Sequence, residues 1–180
     1  CGYGGSCFPK DVNALIHMFD GAGIAPGMLQ ATEQRNRIQK ERLFEKMHER
    51  FGGKLAGLTI AVWGLAFKPG TDDIREAPAL VLLDYLLKSG ARVQTHDPEA
   101  MVNVRKEYAQ RQDLGNLDQQ LIFADHPLDC LEGADALAWL DRAWLWHAPR
   151  SWVLRRVTLT GAVHELAGTG PTVIFLPHFI

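Results

Sequence analysis

Cys7 is the residue whose surroundings in this 180-residue sequence best fit a chemical role. It follows a glycine-rich loop and precedes a helix that Pro9 favours, so free backbone N–H groups and the positive end of the helix dipole lie near the thiol. This position favours a thiolate, and Lys10 would favour it further. Asp11 lies on the same helical face as Cys7, where a carboxylate could orient or deprotonate a water. Together they suit covalent catalysis through a thioester; the alternative is a small buried cysteine beside a tight turn.

The glycines before Cys7 allow a backbone to approach a ligand closely. They do not form a dinucleotide-binding fingerprint, because no predicted strand precedes them and the Gly-x-Gly-x-x-Gly spacing is absent. The glycines are Gly2, Gly4 and Gly5.

A second polar loop follows the first predicted strand and reads Gly-Leu-Ala-Phe-Lys-Pro-Gly-Thr-Asp-Asp-Ile-Arg-Glu over residues 64–76. Ligands of parallel sheets collect at the carboxyl ends of strands, and Lys68 and Arg75 are the cations that suit an anion there. The alternative is a solvated loop in which Arg75 pairs with Asp72 or Glu76.

Asp97 ends the second predicted strand and precedes Pro98. An acidic residue there either holds a ribose, as in nucleotide-binding folds, or forms a turn, and we favour the turn.

Hydrophobic periodicity predicts an α/β fold that positions these loops. A helix over residues 9–20 precedes a long one over 28–51, whose thin apolar stripe is typical of helices that span domains or lie in subunit interfaces. Alternating elements then predict a parallel sheet with helices on both faces. The strands are 58–63, 92–96, 121–124, 135–140 and 172–176; the helices are 77–87, 101–110 and 128–132.

Composition excludes several function classes. The net charge is −2 without a long basic run, which argues against nucleic-acid binding. No apolar stretch reaches the roughly 18–20 residues of a membrane helix. Three cysteines without CxxC spacing and seven scattered histidines indicate neither a disulfide framework nor a metal site. We expect a cytoplasmic protein, and a first residue inside a glycine loop indicates a piece of a longer chain.

Together the two loops resemble the UDP-glucose 6-dehydrogenase family, within the UDP-glucose/GDP-mannose dehydrogenases. The active-site signature of that family is similar to residues 2–11, Gly-Tyr-Gly-Gly-Ser-Cys-Phe-Pro-Lys-Asp, and a second signature is similar to residues 64–76. Asn36-x-x-Gln39 and Asp97-Pro98 also fit. The resemblance covers roughly residues 1–138. GDP-mannose dehydrogenases share a close variant of the first signature.

The resemblance implies an NAD-dependent, two-step oxidation of UDP-glucose to UDP-glucuronate. Cys7 matches the nucleophile, which holds a thiohemiacetal and then a thioester, and Asp11 matches the carboxylate that arranges the hydrolytic water. Lys10 and Arg75 match residues near NAD. The matches to UDP-sugar contacts are Tyr3, Gly4, Phe67 and Lys68. The competing interpretation is a non-catalytic nucleotide-sugar-binding or dimerisation module.

The resemblance also implies a domain organisation. Residues 1–52 would form the active-site loop and a central helical region that makes a homodimer, and residues 53–180 a C-terminal Rossmann-like UDP-binding domain. The N-terminal NAD-binding domain of the family is missing, so this chain alone is not expected to turn over. Residues 139–180 are atypical: the Thr-Glu-Trp and Asp-Gly-Arg signatures are absent and tryptophan and arginine become frequent, which favours a divergent or frame-shifted tail. The family supplies glucuronate for polysaccharide biosynthesis.

Overall fold

The computed structural model of the chain describes residues 2–114 and 117–140, together with the backbone of residues 163–164 and 172–175. In chain order the elements are α1 (Phe8–Gly21), α2 (Gly27–Arg50), β1 (Thr59–Trp63), α3 (Pro78–Lys88), β2 (Arg92–His96), α4 (Met101–Ala109), α5 (Leu117–Gln120), β3 (Leu121–Phe123), a 3-10 turn (Asp129–Leu131), β4 (Ala136–Trp139), β5 (Val163–His164) and β6 (Thr172–Phe175).

The predicted elements all occur, and their ends move by no more than one residue. The helix predicted over residues 128–132 is a 3-10 turn, and α5 and β5 were not predicted. The atypical arginines and tryptophans after Asp141 lie outside the described residues, so the interpretation of the tail as divergent or frame-shifted stays a prediction.

The strands form one sheet in the order β3-β2-β1-β4-β6-β5. Neighbours from β3 to β6 are parallel, and β5 pairs antiparallel with β6. Trp63 at the end of β1 pairs with His96 of β2 on one side and with Trp139 of β4 on the other. The carboxyl ends of these three strands therefore meet at one edge, which brings the loops after β1 and β2 together. The predicted α/β fold, a long helix followed by a parallel sheet, is confirmed.

The apolar side chains of β1 divide between two clusters, as alternation along a strand requires. Ile60 and Val62 join the main cluster, to which α2, α3 and α4 contribute. Ala61 faces the other way and packs with Leu137 and with Cys130 of the 3-10 turn. Helices were predicted on both faces of the sheet. In the part of the chain that the structure describes, α2, α3 and α4 pack on the face of the main cluster, and the 3-10 turn packs on the other.

The helix α2 joins the sheet to the N-terminal loop. Its buried residues are Asn36, Lys40, Leu43 and Met47, spaced along one stripe of the helix. Leu43 and Met47 enter the main cluster, whereas the two polar residues lie nearer the N-terminal end of the helix. No helix among the described residues has the length and apolar character needed to cross a membrane.

Candidate functional site

The glycine-rich loop, residues 2–5, runs between α2 and the loop that follows β1. On the α2 side, Tyr3 N–H donates to Asn36 Oδ1 at 2.7 Å, and Asn36 Nδ2 donates to the Tyr3 carbonyl at 3.2 Å. On the other side, Gly5 N–H donates to the Arg75 carbonyl at 2.8 Å. The loop is thus held by its backbone on both sides, and the two motifs found in the sequence are in contact.

Two positions of this loop require glycine, because the loop after β1 approaches each of them closely. A Cβ added to Gly4 would lie 2.4 Å from the Glu76 carbonyl oxygen. Gly5 has a φ of +86°, and its Cβ would lie 2.7 Å from Cε2 of Phe67. Gly4 and Gly5 thus lie against the protein's own second loop, and close approach of a ligand to these glycines stays a prediction.

Cys7 is exposed and immediately precedes α1. Its Sγ lies 3.6 Å from Ser6 Oγ, and its carbonyl accepts the Asp11 N–H at 2.8 Å in the first turn of the helix. The edge-on contact of the Tyr3 and Phe8 rings, 4.6 Å between centroids, packs the glycine-rich loop against the start of the helix. The thiol is therefore accessible and its backbone is fixed.

Lys10 and Asp11 pair with each other in the first turn of α1. Lys10 Nζ lies 3.1 Å from Asp11 Oδ1, and the two side chains are 72% and 60% exposed. The ammonium charge that the sequence assigns to the thiol is thus directed at Asp11. An exposed pair of this kind is readily rearranged by a ligand, because it contributes little to stability.

Arg75 makes a bidentate contact with Asp73, through Nε at 2.8 Å and Nη2 at 2.7 Å. The expected pairing with Asp72 or Glu76 is therefore wrong. The guanidinium lowers the pKa of Asp73 through this hydrogen bond. The hydrogen bond to Asp73 is the main cause that raises the pKa of Arg75.

Four residues are expected to contact a nucleotide sugar. Tyr3 and Gly4 belong to the glycine-rich loop, and Phe67 and Lys68 belong to the loop after β1. Phe67 packs against Gly5, and the exposed Lys68 places its Nζ 5.2 Å from the Phe67 ring centroid. The Tyr3 hydroxyl donates to Glu33. Burial and this hydrogen bond raise the pKa of Tyr3. Tyr3 thus faces α2, whereas Gly4 lies against Phe67 and the backbone of the loop after β1, and the exposed Lys68 approaches the Phe67 ring.

Asp97 has the structural role that the turn interpretation predicts. Its carboxylate is buried and accepts four backbone N–H groups, at 2.7 to 3.2 Å. Two belong to the loop after β1 and two to the turn that begins α4. Because Asp97 is 4% exposed and already binds four donors, its carboxylate joins two loops and does not suit a ribose.

Sequence reasoning missed two buried polar residues of α2. Asn36 was noted only as part of a motif and Lys40 not at all, yet they contact the glycine-rich loop and Glu76 respectively. A signal existed: both continue the stripe of Leu43 and Met47 toward the N-terminus of the helix, and polar residues within a buried stripe are worth attention. In the described part of the chain no group of three or more His, Cys, Asp or Glu side chains could hold a metal ion.

A mostly parallel sheet with loops gathered at its carboxyl edge is the architecture of nucleotide-binding α/β proteins. Sequence comparison agrees and is more specific. Residues 1–38 match the central domain of the UDP-glucose/GDP-mannose dehydrogenase family, and residues 61–143 match its UDP binding domain. The chain belongs to the UDP-glucose/GDP-mannose dehydrogenase family.

Individual relatives extend this result. The UDP-glucose 6-dehydrogenase of Pseudomonas aeruginosa is 53% identical over 137 residues, which are 76% of this chain and 29% of the relative. The UDP-glucose 6-dehydrogenase AglM of Haloferax volcanii is 43% identical over 135 residues, 75% of this chain and 29% of the relative. The chain thus spans less than a third of the length of these curated relatives.

Solved structures match over more of the chain. A UDP-glucose dehydrogenase from the hyperthermophilic archaeon Pyrobaculum islandicum has a TM-score of 0.73 at 28% identity, covering 98% of this chain and 35% of that one. A GDP-mannose dehydrogenase from Pseudomonas aeruginosa has a TM-score of 0.65 at 21% identity, covering 99% and 38%, and shows a common fold.

Proposed function

We propose that the chain is part of an NAD-dependent UDP-glucose 6-dehydrogenase that oxidises UDP-glucose to UDP-glucuronate. The 53% identity with the Pseudomonas aeruginosa relative of that name carries the proposal. The exposure of Cys7 and the direct contact between the glycine-rich loop before it and the loop after β1 support it. Cytoplasmic location and a role in polysaccharide biosynthesis belong to the same proposal.

Cys7 is the proposed nucleophile. Its thiolate adds to the carbonyl carbon of the aldehyde-level sugar, so that a C–S bond forms and the oxygen takes up a proton, giving a thiohemiacetal. Oxidation of this adduct gives a thioester. A water oriented by Asp11 then attacks the thioester carbon, and the C–S bond breaks with the sulfur leaving as the thiolate. The water gives up both protons to solvent, the first of them by way of Asp11, and the sugar leaves as the carboxylate. NAD, when bound, accepts the electrons removed in each of the two oxidations.

The described residues offer a partial fit for NAD. Lys10 lies in the first turn after Cys7 and Arg75 in the loop after β1. Both side chains have exposed cationic ends and would interact with the cofactor through charge. No Gly-x-Gly-x-x-Gly turn follows a strand in the described residues, and the proposal therefore assigns the main cofactor cradle to a further, N-terminal domain. We therefore propose that residues 1–52 and 53–180 work with such a domain, that α2 carries a homodimer interface, and that this chain alone does not turn over.

Tyr3, Gly4, Phe67 and Lys68 are the proposed contacts to UDP-glucose. The test is protection of Cys7 from iodoacetamide, read by mass spectrometry, with the buried Cys130 as internal reference. UDP-glucose is expected to slow labelling of Cys7, whereas UDP alone, which lacks the sugar, protects less. Equal labelling with and without UDP-glucose would contradict the proposal, and stronger protection by GDP-mannose would favour the GDP-mannose dehydrogenases.

A second experiment separates an enzyme from a non-catalytic binding module. The chain is joined to the preceding segment of the Pseudomonas aeruginosa relative, and NADH and UDP-glucuronate are measured. Formation of both, with loss of UDP-glucuronate in Cys7→Ser, is expected of the enzyme. Binding of UDP-glucose without either product would indicate the module.

A further inference from the structure

Lys40 is a charged residue in an unusual environment. Its side chain is 8% exposed, and its Nζ lies 2.8 Å from Glu76 Oε2, whose side chain is 61% exposed. A buried ammonium is costly without a partner of opposite charge, so the position of Lys40 constrains Glu76. The pair joins α2 to the far end of the loop after β1.

Glu76 has a backbone conformation that needs such a constraint. Its φ is +54°, the one positive value among the non-glycine residues that the structure describes. The left-handed region disfavours residues with a Cβ and persists only where the surroundings enforce it. The ion pair to Lys40 is one contact that does so.

The backbone of residues 75–76 in turn contacts the glycine-rich loop. The Glu76 carbonyl oxygen lies against Gly4, and the Arg75 carbonyl accepts the Gly5 N–H at 2.8 Å. The aliphatic stem of Lys40 also reaches this loop, because its Cγ would lie 3.0 Å from a Cβ at Gly2. The Lys40 side chain thus touches the glycine-rich loop directly, and through its ion pair with Glu76 it also holds the backbone segment on the other side of that loop.

We infer that Lys40 is a positioning residue, which through its ion pair with Glu76 holds the glycine-rich loop in the conformation that presents Cys7. The value of this positioning for catalysis rests on the proposed function. The structural effect does not, and it is measured without turnover.

The test compares amide hydrogen exchange of Gly5 with that of β2 in the full chain. In Lys40→Met, which keeps the stem and removes the charge, Gly5 protection is expected to fall by about tenfold, as loss of a charged hydrogen bond implies, while β2 protection is unchanged. Lys40→Arg restores the charge and is expected to recover most of the protection. The matched control is Arg42→Met, because the pair of Arg42 with Glu45 at 2.6 Å on the same helix is exposed and should leave Gly5 unaffected.

Two outcomes would overturn the inference. Unchanged Gly5 protection in Lys40→Met would show that the pair does not hold the loop, and a parallel loss at Gly5 and in β2 would show that Lys40 only adds overall stability. If Lys40→Met does not fold, Glu76→Gln decides by the same criteria, since it removes the charge from an exposed side chain. Loss of Gly5 protection in Lys40→Met, together with an absence of UDP-glucose protection at Cys7 in the parent chain, would leave the inference standing and refute the proposed function.

Discussion

Replacement of Gly4 by alanine tests whether the two loops must touch. The added methyl would lie 2.4 Å from the Glu76 carbonyl oxygen and 2.9 Å from its carbon, where ordinary contact begins at 3.4 Å. Both atoms are backbone, so no side chain can swing aside to make room. One loop has to move by about 1 Å, and overpacking of this kind costs about 1–3 kcal/mol.

That energy fixes the expected effect. A cost of about 1–3 kcal/mol corresponds to a change of about 5- to 160-fold in an equilibrium constant. If Tyr3, Gly4 and Phe67 bind the nucleotide sugar in their present arrangement, the concentration of UDP-glucose needed to protect Cys7 rises by this factor. The assay is iodoacetamide labelling of Cys7 at increasing UDP-glucose.

Gly21→Ala is the control for Gly4→Ala. No atom lies within 4 Å of a Cβ at Gly21, which ends α1, so the same change of residue is made without a clash. It is expected to leave protection of Cys7 unchanged. Should Gly4→Ala bind UDP-glucose like this control and exchange its Gly5 amide at the parent rate, the argument from loop contact would be refuted.

Two further predictions concern buried side chains outside the glycine-rich loop, Cys130 and Asp97. Burial raises the pKa of Cys130 from 9.0 to about 12. As the pH rises, the unfolded chain releases this proton before the folded chain does. The free energy of unfolding of the parent should therefore fall between pH 9 and 12, and its slope should exceed that of Cys130→Ala by about 1.4 kcal/mol per pH unit. Urea unfolding measures both, and equal pH profiles of the parent and the variant would contradict the prediction. Asp97→Asn leaves one acceptor oxygen for four N–H donors and should lower the free energy of unfolding by about 2–4 kcal/mol. The control, Glu99→Gln at an exposed position, should leave this free energy unchanged. A decrease below about 1 kcal/mol in Asp97→Asn would be inconsistent with the four hydrogen bonds.

The elements of this fold were predictable because most of them are long enough to show a period. The strand over Arg92–His96 has the predicted ends. The helices α1, α2 and α3 differ from the prediction by one residue at both ends, and α4 differs by one residue at its C-terminal end. The two missed elements are short: α5 has four residues and β5 has two. Neither length can show a hydrophobic repeat, and β5 is defined by its pairing with β6, which is a tertiary fact.

The ion pairs of the second loop were less predictable, since competition between partners decides them. Arg75 was assigned to Asp72 or Glu76 by proximity in sequence. Glu76 is bound to Lys40, 36 residues away, and Asp72 accepts from Asn103. Asp73 remains for Arg75, and the Asp73 side chain accepts the Arg75 backbone N–H as well at 3.0 Å. Proximity in sequence gave two candidate partners for Arg75, and long-range contacts occupy both of them.

The position of the glycine-rich loop depends on α2 and on the loop after β1 as well as on its own residues. The family's central-domain match ends at residue 38 and its UDP-binding match begins at 61, yet α2 contacts the glycine-rich loop through Asn36 and the sheet core through Leu43. Gly5 is moreover hydrogen-bonded to the loop after β1. A ligand that displaces the loop after β1 must therefore displace the backbone before Cys7. By linkage, a ligand that shifts this backbone changes the equilibrium constant of a reversible modification at Cys7 that depends on the same backbone, and that modification changes the affinity for the ligand by the same factor.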